Sequence, residues 1–142
     1  MAKMPHPFTL PAKLSSDLIR LQHYWSGLKR GENKVPFVDD INLSVLPQLK
    51  NKLMLIDVFE QPQRFRFNTV GGEIRDAYGA DITGKFVGEI AAKAPLAFFT
   101  AQASTTVESA EPTYYHDGVA RLLLPMWGDG HVAMLLGIIV PL

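Results

Sequence analysis

The chain has no cysteine. Disulfides, cysteine-ligated zinc, iron–sulfur clusters and thiol catalysis are therefore excluded. It has no excess charge of either sign, because 14 basic residues balance 14 acidic ones. No basic run exceeds Lys29-Arg30, so the electrostatic footprint of a nucleic-acid binder is missing. There is no apolar run able to span a bilayer, since Gly137 and Pro141 interrupt the longest one. Residues 1–13 hold three prolines and no apolar segment of signal-peptide type, so they do not read as a secretory signal. The expectation is a soluble, cytoplasmic protein with no nucleic-acid or membrane partner.

What is present is a core. Apolar residues make up 47% of the 142 positions, enough for one compact domain. Residues 121–140 read as two strands folded back at Asp129-Gly130, a dipeptide suited to a tight hairpin turn. Neither arm alternates. Leu122-Leu123-Leu124 is unbroken, and so is the run from Val132 to Val140. Successive side chains in a strand point to opposite faces, so unbroken apolar runs require both faces to be covered.

Two helices offer those covers. The first starts near Ser15 or Ser16, which can cap it, and carries Leu18, Leu21, Trp25 and Leu28 at helical spacing up to a stop at Gly31. Its stripe fits either packing on its own sheet or an interface in a homodimer. The second helix is read over 94–107, with Leu96, Phe99 and Ala103 on one stripe. Between them, Asp39-Asp40 reads as a cap for a short helix or turn over 42–49. The segments 53–59 and 64–70 form a second hairpin, with Pro62 suited to a type I turn. In its second arm Phe65, Phe67 and Thr69 face one way. Arg64, Arg66 and Asn68 face the other. Asp57 then lies opposite Arg66, as a structural ion pair or as a clamp for a carboxylate ligand. Residues 73–78 form a short helix closed by Gly79, and 113–117 a short strand. The sum is an α+β fold: one antiparallel five-stranded sheet with helices on one face and the N-terminal amphipathic helix on the other. The arm and helix occupy 1–31 and the sheet-bearing body 32–142.

The chemistry in the sequence is sparse. Residues 79–85 satisfy GxxxxGK, but Phe86 stands where a P-loop needs a hydroxyl for magnesium, and no buried strand precedes it. The histidines His6, His23, His116 and His131 lack the spacing of a metal pair, and His116 is the one best placed to face a pocket. No Ser sits in a GxSxG elbow. These features give no catalytic or metal site.

The order of elements resembles the PAS fold. The pieces are Tyr24-Trp25 and Leu28-Lys29-Arg30-Gly31, then Leu46-Pro47-Gln48-Leu49, Leu55-Ile56-Asp57-Val58 and Phe65-Arg66-Phe67. Val70-Gly71-Gly72, Tyr78-Gly79-Ala80-Asp81-Ile82-Thr83-Gly84, Leu124-Pro125-Met126 and Leu135-Leu136-Gly137 follow. Together they resemble the family of small standalone bacterial PAS proteins. That resemblance implies a sensory or protein-interaction role, often as a dimer, acting through a separate signalling protein. It implies a cavity between sheet and helices, for which Phe65, Phe67, Tyr78, Phe98, Tyr115, His116 and Trp127 are the lining candidates. Each of these aromatics is also explained by core packing. Without cysteine no flavin adduct can form. Residues 84–112 lack the axial His that haem-binding PAS domains usually take from this region, which disfavours haem, with His116 as the one escape, and leaves a non-covalent flavin or small metabolite. Two other readings stand beside the sensor: a ligand-free interaction adaptor, and a small cone-fold isomerase or dehydratase with Asp57 as base.

Overall fold

A computed structural model describes residues 8–142 of the chain. Three α-helices and five strands follow in the order α1 (Ser16–Gly27), β1 (Leu53–Phe59), β2 (Arg64–Val70), α2 (Gly72–Tyr78), α3 (Phe99–Ser109), β3 (Thr113–His116), β4 (Val119–Gly128) and β5 (His131–Pro141). The strands form one antiparallel sheet in the order β2-β1-β5-β4-β3. This is the α+β, PAS-like arrangement expected, with the 121–140 hairpin at its centre. Asp129 and Gly130 both take positive φ, 51° and 82°, which matches the turn to the twist of the strands it joins.

Each face of that hairpin has its cover. On the inner face Leu123, Val132, Leu135 and Ile139 pack with Met54, Ile56, Phe65 and Phe67 beneath Ile74 and Tyr78 of α2 and Phe99 and Ala103 of α3. On the outer face Leu122, Leu124, Met126, Leu136 and Ile138 pack beneath Leu18, Leu21 and Trp25 of α1. The α1 stripe thus lies on the chain's own sheet, with Leu28 half-buried at its end. The Trp25 indole donates to the Pro125 carbonyl at 2.8 Å. Gly137 lies opposite both Met54 and Leu123, whose side chains fill the space a Cβ would take there.

Several local expectations differ from the structure. The α1 helix stops at Gly27, before Gly31, and Ser15 at its N-cap makes no side-chain capping bond. Asp40 is no cap: Arg30 holds it in a fork with two 2.6 Å hydrogen bonds. Asn42 caps the next turn instead, accepting from the Ser44 amide at 3.1 Å. The third helix begins at Phe99 and not at residue 94, because Phe98 takes φ 57° and cannot continue the α conformation. The Gln61–Pro62 peptide is cis and Gln61 has φ 58°, so that loop is not a type I turn. Asn68 is an extra residue in β2, since Phe67 pairs with Ile56 and Thr69 with the adjacent Leu55. Such a bulge flips the alternation, and Thr69 shares the outer face with Leu55 instead of the Phe65–Phe67 face.

Further backbone meets each edge of the sheet locally. The β2 edge pairs with residues 84–86: Gly84 donates to the Phe67 carbonyl at 2.7 Å, and Phe67 to that of Lys85 at 2.9 Å. At the β3 edge Tyr114 donates to the Phe8 carbonyl at 2.8 Å.

Candidate functional site

The aromatic candidates do not converge on one cavity. Phe65, Phe67 and Tyr78 are buried in the inner core, where Phe67 and Phe99 stack with centroids 5.6 Å apart. The Tyr78 hydroxyl donates to the Ala91 carbonyl at 2.8 Å. Trp127 packs at the rim of this core and lines a separate cleft with Val35 and Phe37. Phe98 is 66% exposed. Tyr115 lies beside it with ring centroids 5.9 Å apart. His116 is the next residue in β3, so it points to the opposite face, where its ring meets that of Tyr114 at 5.7 Å.

The inner face instead holds a polar cluster that the sequence reading left out. Arg121 of β4 is fully buried. Its Nε donates to Gln102 Oε1 at 2.6 Å, and its two terminal nitrogens donate to the Pro95 and Ala97 carbonyls, each at 2.9 Å. The guanidinium lies 4.8 Å from the Tyr115 ring centroid and 5.3 Å from that of Phe99. Gln102 donates onward to Thr113 at 3.2 Å, and Thr113 shares a 2.6 Å bond with Thr106. No buried side-chain nitrogen or oxygen among the described residues lacks a partner. All three acceptors of Arg121 are neutral oxygens. Burial pushes its pKa down to about 10, against a smaller opposing electrostatic pull from Tyr115.

Just outside this cluster lies an apolar cleft of about 340 Å³. Its lining includes Val87, Ile90, Leu96 and Phe98, with Phe99 and Ala101 of α3. Ala97 also borders the cleft and holds the cation through its carbonyl.

Asp57 and Arg66 meet as their register dictates, with the Arg66 terminal nitrogen 3.0 Å and Nε 3.2 Å from Asp57 Oδ2. Asn68 adds a longer bond at 3.3 Å. Inward-facing Ile56 and Val58 flank Asp57 in β1, so the pair lies on the outer face, away from the helix-covered interior. The arginines Arg64 and Arg66 there lie against Phe59 and Phe86, at centroid distances of 4.8–5.9 Å. This outer patch is rich in cation–π contacts and sits beyond the β4–β5 area that α1 covers.

The GxxxxGK segment has its backbone engaged. The Thr83 amide bonds to Asp81 Oδ1 at 3.0 Å, and the Gly84 amide bonds to β2, so those amides are not free to cradle a phosphate. His23 is exposed on α1 and His131 borders the Asp129 turn, while His6 lies outside the described residues. Among the described residues no group of His, Asp and Glu is placed to hold a metal ion, and no helix is long and apolar enough to cross a membrane. Compared with protein-family models and with curated proteins, the chain matches none.

Proposed function

We propose that this protein is a cytoplasmic sensory or regulatory PAS module. It binds a small molecule or a protein partner and passes its state on through protein–protein contacts. The observation that carries the reading is the fold itself: a five-stranded PAS-like sheet with its inner face under α2 and α3 and its outer face under α1. Fold alone does not assign an activity, so the side chains must decide between readings. Asp57, the residue a cone-fold enzyme would use as its base, is spent on Arg66 and Asn68 outside the interior, which weighs against that alternative. The homodimer belongs to this proposal, formed without the α1 stripe that the sheet already covers. A separate signalling protein receives the output.

A ligand-free adaptor is the second reading, and the filled interior favours it: Met54, Ile56, Phe67 and Leu135 have no exposed surface. Native mass spectrometry of the purified chain, compared with its denatured mass, separates the two. An added mass that leaves on denaturation is the result expected of the sensor. A bare dimer would move the protein to the adaptor class. A bare monomer that captures no ligand would overturn both the sensor and the homodimer.

A further inference from the structure

A buried cation needs a counter-charge. Removing a guanidinium from water costs several kcal/mol even after the protein relaxes. Arg121 meets only neutral oxygens at hydrogen-bond distance, and no salt bridge among the described residues involves it. Neutral acceptors lower the cost but leave the positive charge in place. A carboxylate would do more, because a charge-assisted N–H···O⁻ bond is shorter and about twice as strong as a neutral one.

The way in is short. Both carbonyls that hold the terminal nitrogens, Pro95 and Ala97, belong to the segment just before α3. Of the two, Ala97 also lines the apolar cleft. At its end Phe98 combines 66% exposure with φ 57°, an unfavourable conformation for a bulky residue. The cleft, at about 340 Å³, is at the small end of ligand pockets, which span roughly 300–1,000 Å³. No charged side chain lines it, and Arg121 stands behind Ala97. One positive charge behind an apolar lining matches one negative charge on an apolar body.

We propose that the cleft beside α3 takes a small apolar monocarboxylate, its carboxylate held by Arg121 in place of the Ala97 carbonyl. This deepens the sensory reading and rests on it. Binding replaces a backbone contact of the segment leading into α3, so the ligand and the position of that segment are coupled. Inorganic phosphate fits poorly, because its second charge and its polar oxygens would face the apolar lining.

The test is a titration of the full chain with benzoate and with hexanoate, followed in ¹H–¹⁵N spectra through the Arg121 Nε–H and the Ala97 and Phe98 amides. Benzamide serves as the uncharged control and inorganic phosphate as the anion control. The expected result is saturable movement of those three signals with one of the acids, and binding weaker by about tenfold or more with benzamide. Phosphate leaves them in place. Ala101 is exposed on α3 and lines the cleft, so Ala101→Trp should fill it, keep the melting temperature and abolish the response. No movement with either acid at about 10 mM, a weak-binding ceiling on the affinity scale, would overturn the proposal. So would equal binding of benzamide, equal shifts with phosphate, or an intact response in Ala101→Trp. A ligand of another class released in native mass spectrometry would leave the sensor standing and remove the carboxylate alone.

Discussion

Gly137→Ala tests how tightly the interior is filled. Gly137 is buried in the central strand and does not have a positive φ, so alanine is conformationally allowed. At an open site of that kind the change stabilises by about 0.4–1 kcal/mol, because the unfolded chain loses freedom. Here the added Cβ would stand 2.8 Å from Met54 Cε, 3.0 Å from Met54 Cγ and 2.9 Å from Leu123 Cδ2. Both neighbours have no exposed surface, so neither can swing into solvent. Overpacking of this sort costs about 1–3 kcal/mol, which exceeds the entropic gain. The net expectation is a loss of about 1–2 kcal/mol, read from urea unfolding followed by circular dichroism. Met54→Ala should relieve the clash. The double variant should then be more stable than the sum of the singles by at least about 0.5 kcal/mol. Gly137→Ala at or above wild-type stability, or additive singles, would refute the packing argument and reopen the interior as a ligand space.

Trp25→Phe removes the indole N–H, with some buried ring volume, and strands the buried Pro125 carbonyl; a loss of at least about 1–2 kcal/mol is expected in the same assay. Asp57→Asn breaks a half-exposed surface pair, whose side chains are 16% and 41% exposed. It should cost less than about 1 kcal/mol and leave any ligand mass in native spectrometry unchanged. For pH, the hydrogen bonds from Arg30 hold the Asp40 carboxyl below its ordinary value. The native state therefore binds this proton less readily than the unfolded one. The contribution is present above about pH 4 and fades as the pH falls through the lowered native value. Melting curves of wild type and Asp40→Asn should differ at neutral pH and converge in strong acid.

Local and periodic features carried the sequence reading. The Asp129-Gly130 turn fixed the central hairpin. The spacing of Leu18, Leu21 and Trp25 named the stripe that α1 buries. The length of the 60–63 loop set Asp57 against Arg66. What failed depended on single dihedrals or on distant partners. The positive φ of Phe98 delays α3, and the extra Asn68 turns Thr69 over. Neither leaves a pattern in composition. The Arg121 cluster did leave one. Gln102 and Thr106 lie four residues apart on α3, beside Phe99 and Ala103, hence on its buried stripe. Arg121 shares strand parity with the inward Leu123. Polar groups on two facing apolar surfaces must find each other. The carbonyls of Pro95 and Ala97 that complete the cluster come from irregular backbone, which no periodicity reports.

The pairing of residues 84–86 with β2 and of Phe8 with β3 limits how this protein can meet others. An open sheet ordinarily presents two rows of unpaired amides and carbonyls, which invite strand addition by peptides or by further copies. Here a piece of the same chain already stands in each row. A partner that extends the sheet must first displace native backbone hydrogen bonds at 2.7–2.9 Å. At Phe67 and Tyr114, strand addition therefore competes with contacts the chain already makes.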